Sequence, residues 1–239
     1  MIKLIITDKE LKGKTLGVIG LGAIGAMVAN LAIKFGMEVI GYDPYLSVNA
    51  AWSLDHNVKH AETLDTVYAK SDYITIHVPQ TNDTKGMINA STIKTMKDGV
   101  RILNFARGEL VKGADMAEAV TSGKIGAYVT DFPSDEVIGV ENVTALPHLG
   151  ASTPESEENC AMMAADEVSA YLLKGAIKNS VNLPNAALPE AFECRTCFIH
   201  KEDEAFGTKV SAEAIAQGAA IKNLFSASKK GTDHFVILC

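Results

Sequence analysis

Three glycines, Gly20, Gly22 and Gly25, constrain this chain more than any other feature. They follow the apolar run Thr15-Leu-Gly-Val-Ile19 and lead into Ala26-Met-Val-Ala-Asn-Leu-Ala32, an amphipathic helical pattern. Strand, tight turn and helix N-terminus is the setting in which G-x-G-x-x-G binds a dinucleotide. Gly20 allows the turn, Gly22 lets the backbone approach a pyrophosphate, and Gly25 lets the helix pack close to the strand. The free N–H groups and positive dipole end of the helix then face the phosphates. By itself the spacing also fits a plain strand-to-helix turn. Asp43 adds to it, 18 residues beyond Gly25 and after a second apolar run, Met37-Glu-Val-Ile-Gly-Tyr42. A carboxylate at the end of the second strand accepts hydrogen bonds from ribose hydroxyls and repels a 2′-phosphate, which favours NAD over NADP. The competing reading is an acid before Pro44 that starts a turn.

Bulk properties narrow the function classes. The chain has 239 residues, enough for one large domain or two small ones, and its 47% hydrophobic content supports a buried core. A net charge of −7 without a basic stripe argues against a nucleic-acid partner. No apolar run reaches the ~18 residues of a membrane span. Met1-Ile-Lys-Leu-Ile-Ile-Thr-Asp8 is too short in its apolar part to be a secretory signal. Four cysteines form no disulfide framework in a chain this long, so the cytoplasm is the expected compartment. Cys194-Arg-Thr-Cys197 lacks the second ligand pair of a metal site and runs into a strand-like Phe198-Ile-His200, so it reads as incidental; no metal is expected.

From Thr15 to Asn182 short apolar runs alternate with helical patterns, which predicts an α/β fold with a doubly wound parallel sheet. Strands are expected over 72–78, 99–106, 125–132 and 143–146, and helices near 61–70, 89–96 and 113–122. Gly123 is a stop for the last of these. A long helix opens at Pro154 and runs to Lys174, with Thr153 as its N-cap and acids in its first turns. Residues 184–192 hold two prolines and no periodicity and read as a linker. Residues 193–239 read as a small β-α-β-β piece, marginal as an independent domain. The expected organisation is 1–183, linker 184–192, and 193–239.

Three segments fall at the carboxyl ends of strands, where an open α/β sheet places its ligand. They are His77-Val-Pro-Gln-Thr81-Asn-Asp-Thr84, Asn104-Phe-Ala-Arg107-Gly108-Glu-Leu-Val111 and Pro147-His148-Leu-Gly150-Ala-Ser-Thr153. With the glycine turn they resemble the D-isomer-specific 2-hydroxyacid dehydrogenases over about residues 11–183. Tyr128-Val-Thr-Asp-Phe-Pro133 and Asn179-Ser-Val-Asn-Leu-Pro184 are most similar to the branch that oxidises 3-phospho-D-glycerate. The resemblance implies a Rossmann sheet, NAD as cofactor, and a phosphorylated hydroxy-acid substrate. It implies that Arg107 grips the substrate carboxylate, a task suited to a planar fork of donors. His148 becomes the general acid/base, with an imidazole pKa near the operating pH. An acid should orient His148; alignment on Phe132-Pro133 offers Asp135, whereas Glu136 has the longer reach. Gln before the histidine marks the related formate dehydrogenases. Cofactor contacts carried across are Gly20, Gly22, Ala23, Ile24 and Gly25 at the pyrophosphate, Asp43 at the ribose, and Val78 and Pro79 at the adenine. Thr84 falls near the phosphates, Phe105 and Ala106 along the nicotinamide, and Asp131 at its carboxamide, with Arg107 and His148 alongside. His77 reads as a strand-end histidine.

Members of this family carry a substrate-domain half ahead of the segment matched here, so the expectation is a cofactor half without it. The apolar side of the 154–174 helix (Ala161, Met162, Ala165, Val168, Leu172) then lacks an evident partner, as in a fragment or a chain covered by a second one. The piece after the linker resembles a regulatory module of ferredoxin-like α+β type that takes an amino-acid effector, and a homodimer or higher oligomer is expected. Competing readings are an NAD-binding sensor or corepressor-like module without turnover, and a dehydrogenase of another 2-hydroxy acid.

Overall fold

The computed structural model describes residues 10–187, 195–201, 203, 205–229 and 234–238. It divides between His148 and Leu149 into two compact units. In the first, β1 (Thr15–Ile19), β2 (Glu38–Tyr42), β3 (Lys59–His60), β4 (Tyr73–Ile76), β5 (Val100–Asn104), β6 (Ile125–Thr130) and β7 (Val143–Ala145) form one sheet. Its order is β3-β2-β1-β4-β5-β6-β7 and every pairing is parallel. The order reverses between β1 and β4, and ligands of such sheets bind in the crevice outside that switch point. The doubly wound reading therefore holds.

Parallel strands covered on both faces read as continuous apolar runs, and these do. Val18, Val39, Ile74, Ile76 and Ile102 are fully buried. Each such side chain contributes about 1.5–3 kcal/mol relative to exposure. The helices of this unit are α1 (Ala23–Lys34), α2 (Val48–Trp52), α3 (Leu64–Lys70), α4 (Ala90–Thr95) and α5 (Gly113–Thr121). Asn89 starts α4 with a capping box through Thr92, and Gly123, at φ 78°, follows the end of α5 as the sequence implies. Close helix–sheet approach is enforced by Gly17, where a Cβ would lie 2.3 Å from Ser71 Oγ.

The second unit opens with α6 (Pro154–Lys174), capped by Thr153, whose hydroxyl accepts from the Ser156 N–H, and ended by Gly175 at φ 64°. None of its residues is buried. The boundary expected after residue 183 instead falls at 148, so α6 groups with the later residues. Then come β8 (Thr196–His200), α7 (Phe206–Ala216), β9 (Leu224–Ala227) and β10 (His234–Leu238), the strands antiparallel in the order β8-β10-β9. These are the four elements expected for this piece. Cys194 and the linker beyond residue 187 lie outside the described residues. Among the described residues no helix is long and apolar enough to cross a membrane, and none of their His, Cys, Asp and Glu form a metal-ligating group of three.

Candidate active site

The glycine turn lies at the carboxyl end of β1. Gly20 has φ 90°, and a Cβ there would lie 2.5 Å from the His77 carbonyl oxygen. A Cβ on Gly25 would meet the Gly20 carbonyl oxygen at 1.9 Å. Both glycines are therefore required by the chain's own packing. Gly22 differs: it has φ −65°, and a Cβ there would meet nothing within 4 Å. It is the N-cap of α1 without a side-chain cap, and Ala23 and Ile24 behind it are exposed. The first N–H groups of α1 thus face open space at the positive end of the helix.

Asp43 reaches back to this turn. Its Oδ2 accepts from the Leu21 N–H at 2.9 Å and its Oδ1 from the Tyr45 N–H at 2.9 Å. Asp43 therefore starts the turn, and each of its carboxylate oxygens keeps a further lone pair. Val78 is half-buried and packs on the core, with Pro79 exposed beyond it. His77 is half-buried at the end of β4, its Nε2 2.9 Å from Thr75 Oγ1, and burial holds its pKa below 6.5. Thr84 spends its hydroxyl within its loop: it accepts from the Thr81 N–H at 2.8 Å and donates to the Pro79 carbonyl at 2.7 Å. Its geometry is that of a latch on the 79–84 loop.

At the end of β5 the fully buried Asn104 shapes the next three residues. Its Nδ2 donates to the Arg107 carbonyl at 2.9 Å and its Oδ1 accepts from the Ala106 N–H at 3.2 Å. Ala106 packs on the core, while Phe105 and Arg107 face outward. The Arg107 guanidinium donates to the Ala106 carbonyl at 2.6 Å and lies 5.8 Å from the centre of the Phe132 ring. On its other side Phe132 packs against His148, with ring centres 4.3 Å apart. Phe132 thus ties the two expected catalytic side chains into one cluster. Asn104 and Phe132 carry no assigned role in the sequence reading, although both stand inside the quoted motifs.

His148 follows β7, which the Leu146 N–H docks onto the Thr130 carbonyl at the end of β6. This brings His148 Nδ1 to 2.8 Å from Asp131 Oδ2. Asp131 is 12% exposed and His148 55%, so the imidazole is anchored at Nδ1 and open elsewhere. The acid expected to orient His148 was Asp135 or Glu136; the acid within hydrogen-bond distance of Nδ1 in this structure is Asp131. The Val137 N–H donates to the Ser134 carbonyl and closes a turn that contains both acids. The Glu136 carboxylate bonds the Ser134 hydroxyl and its own backbone N–H, which hold its pKa below the ordinary value. It lies beside Gly113 at the start of α5, where a Cβ would be 2.7 Å from Oε2. Asp135 is exposed. Asp131 keeps one oxygen, Oδ1, buried and without a hydrogen-bond partner. A buried acceptor without a partner is costly, which marks a position for a donor from a ligand.

Residues 3–150 match the family model described as D-isomer specific 2-hydroxyacid dehydrogenase, NAD binding domain. The chain is 39% identical over 198 residues to D-3-phosphoglycerate dehydrogenase of Archaeoglobus fulgidus, covering 80% of this chain and 37% of that protein. It is 41% identical over 175 residues to hydroxypyruvate reductase of Thermotoga maritima, covering 70% of this chain and 55% of that protein. Among solved structures it is similar to D-lactate dehydrogenase from Aquifex aeolicus complexed with NAD and lactic acid. There the TM-score is 0.61 at 31% identity, over 71% of this chain and 56% of that one. The chain therefore spans from about a third to just over half of these proteins. With its fold, glycine turn and Arg107–His148 cluster in place, the chain belongs to the D-isomer specific 2-hydroxyacid dehydrogenase family, whose NAD binding domain its residues 3–150 form.

Proposed function

We propose that this chain is the cofactor half of an NAD-dependent enzyme that oxidises a D-2-hydroxy acid, 3-phospho-D-glycerate being the foremost candidate. The observation that carries the reading is the Arg107–Phe132–His148 cluster at the carboxyl edge of the sheet, with His148 anchored on Asp131. The residues fit NAD: open space above Gly22, an uncapped helix N-terminus, lone pairs on Asp43, and a buried acceptor on Asp131 without a partner. NAD, when bound, supplies the hydride acceptor. Arg107 pairs with the substrate carboxylate, where its fork of donors also polarises the neighbouring carbonyl oxygen. His148 takes the hydroxyl proton through Nε2 as the carbon–hydrogen bond gives up its hydride, and returns it in the reverse direction. The family resemblance gives the orienting acid as Glu136 or Asp135, while Asp131 is the acid 2.8 Å from His148 Nδ1.

The phosphoglycerate assignment draws on the relatives at 39% and 35% identity that bear that name; hydroxypyruvate reductase, at 41%, keeps other 2-hydroxy acids in view. The regulatory reading of the second unit is supported by a cavity of about 810 Å³ lined by Asp203, Thr208, Ser211, Ser226 and Ser228, whose donors and acceptors suit an amino-acid effector. A homodimer is supported by the apolar stripe Ile24, Met27, Leu31 and Phe35 along the outer side of α1.

The test follows NADH formation with 3-phosphoglycerate, glycerate and lactate. It uses the chain alone and the chain joined to the remainder of the Archaeoglobus fulgidus relative. Oxidation of 3-phosphoglycerate that His148→Asn abolishes is expected in the joined protein. NAD binding without turnover on any of the three acids would overturn the proposal in favour of a sensor.

A further inference from the structure

Three polar side chains, Asn104, Tyr128 and Thr130, are buried together at the carboxyl ends of β5 and β6. The two strands pair with Asn104 opposite Thr130 and Ile102 opposite Tyr128, and alternation along a strand puts Tyr128 and Thr130 on the same face. Both hydrogens of Asn104 Nδ2 are used, one on the Arg107 carbonyl at 2.9 Å and one on the Tyr128 hydroxyl at 3.4 Å. The Tyr128 hydroxyl also bonds that of Thr130, whose Oγ1 accepts from the Phe132 N–H at 3.0 Å. Burial raises the pKa of Tyr128 above 10, so the phenol stays protonated and neutral. A run of hydrogen bonds thus leads from the Arg107 segment after β5 to Phe132 after β6, and Phe132 packs on His148. Tyr128 is its middle member, with its ring set in the hydrophobic core.

We propose that Tyr128 is a positioning residue whose hydroxyl couples the Arg107 segment to the Phe132–His148 segment and so sets the spacing of carboxylate clamp and base. The coupling concerns this chain alone; the use made of the spacing rests on the proposed function. A 2-hydroxy acid carries its carboxylate on the same carbon as its hydroxyl. Arg107 and His148 must therefore reach groups on neighbouring atoms, where a misplacement of about 1 Å can cost about 10²-fold in rate. The ladder between β5 and β6 ends at the Asn104–Thr130 pair, and both catalytic side chains lie beyond it. Past that point Asn104 governs one segment and Thr130 the other, and the Tyr128 hydroxyl bonds both. A fully paired buried network holds one arrangement, whereas loss of its middle member leaves buried groups on both sides without a partner.

Amide hydrogen exchange in the chain without ligand tests the coupling. Its two reporters are the Phe132 N–H, bonded to Thr130, and the Ala106 N–H, bonded to Asn104 Oδ1. Tyr128→Phe keeps the ring and removes the hydroxyl. Both reporters should then exchange about fivefold faster or more, while the amide of the fully buried Ile74 follows only the change in global stability. Thr130→Val should speed exchange at Ala106 by a similar factor and Thr130→Ser should not. In the Tyr128→Phe background Thr130→Val should add nothing at Ala106. A Thr130→Val chain with Ala106 unchanged, or with the same effect there in both backgrounds, overturns the coupling. The contrast of Thr130→Val with Thr130→Ser decides this even if Tyr128→Phe fails to fold. In a second arm Tyr128→Phe is placed in the chain joined to the remainder of the Archaeoglobus fulgidus relative. There kcat/KM for 3-phosphoglycerate should fall about tenfold or more, through kcat as well as KM, with NAD affinity within about twofold of wild type. Unchanged kcat and KM, or an equal loss of NAD affinity, overturns the positioning role. If the joined wild type does not turn over, the proposed function fails, and the exchange rates still decide the coupling.

Discussion

Replacing Gly22 by alanine separates what the glycine turn does for the fold from what it does for a ligand. The backbone there is at φ −65° and ψ −165°, which alanine adopts without strain, and the new methyl meets nothing within 4 Å. Restricting the unfolded chain at such a position stabilises by about 0.4–1 kcal/mol. Alanine is a poorer N-cap than glycine, which offsets part of that gain. The net effect stays within about 1 kcal/mol of zero, or about 2–4 °C in Tm for a chain of this size. The same methyl intrudes on the space where a pyrophosphate would meet the first N–H groups of α1. Overfilling a fitted site costs about 1–3 kcal/mol, a fall of about 5- to 150-fold in NAD affinity. Gly25→Ala is the matching control. Its Cβ would sit 1.9 Å from the Gly20 carbonyl oxygen, so helix and turn must part by well over an ångström, and Tm should drop clearly. Thermal unfolding with and without NAD reads both quantities: Gly22→Ala should keep the wild-type Tm and lose the shift on adding NAD. A Gly22→Ala chain that unfolds early, or binds NAD as well as wild type, refutes the assignment of Gly22 to the ligand.

Three further outcomes follow from particular contacts. Asn104→Ala leaves the Ala106 N–H and Arg107 carbonyl without their side-chain partner; it should cost about 1–3 kcal/mol in urea unfolding and raise KM for the acid more than NAD affinity falls. Burial lowers the pKa of His77 below 6.5, so the unfolded chain binds more protons and stability should fall as pH drops through 6.5; His77→Gln should flatten that part of the stability–pH curve. Burial of Asp72 alone would raise its pKa, but the Thr15 N–H and Lys97 outweigh it and hold the pKa below 3.8. Its stabilisation is therefore present above pH 3.8 and lost as pH falls below it, and Asp72→Asn should remove that acid-sensitive part.

Much of the first unit was legible because its signals are local. Gly20, Gly25 and Gly123 mark backbone conformations or close approaches that a side chain forbids, and Thr153 caps α6 through a bond only three residues long. Asp43 was legible from its distance to the turn, although not that it bonds the Leu21 N–H. Elements too short to show a period escaped: α2 has five residues and β3 has two. The partner of His148 escaped for a different reason. Asp131 lies 17 residues away, and the two meet only through the register of β6 and β7, which sequence spacing does not encode. Side-chain reach favoured Glu136, but the turn after Pro133 decides where that reach is spent. The division at residue 148 was also hidden: Pro147, Gly150 and Pro154 surround it, but the first two stand inside the motif that carries His148 and read as part of the site, and Pro154 reads as the start of α6.

The account stands most directly on the claim that the glycine turn and Asp43 form an NAD site. Calorimetric titration of the chain with NAD and with NADP tests it. NAD should bind at a single site and NADP at least about tenfold more weakly, because a carboxylate at the end of the second strand, here Asp43, repels a 2′-phosphate. Equal affinities for the two, or heat from neither, would contradict it.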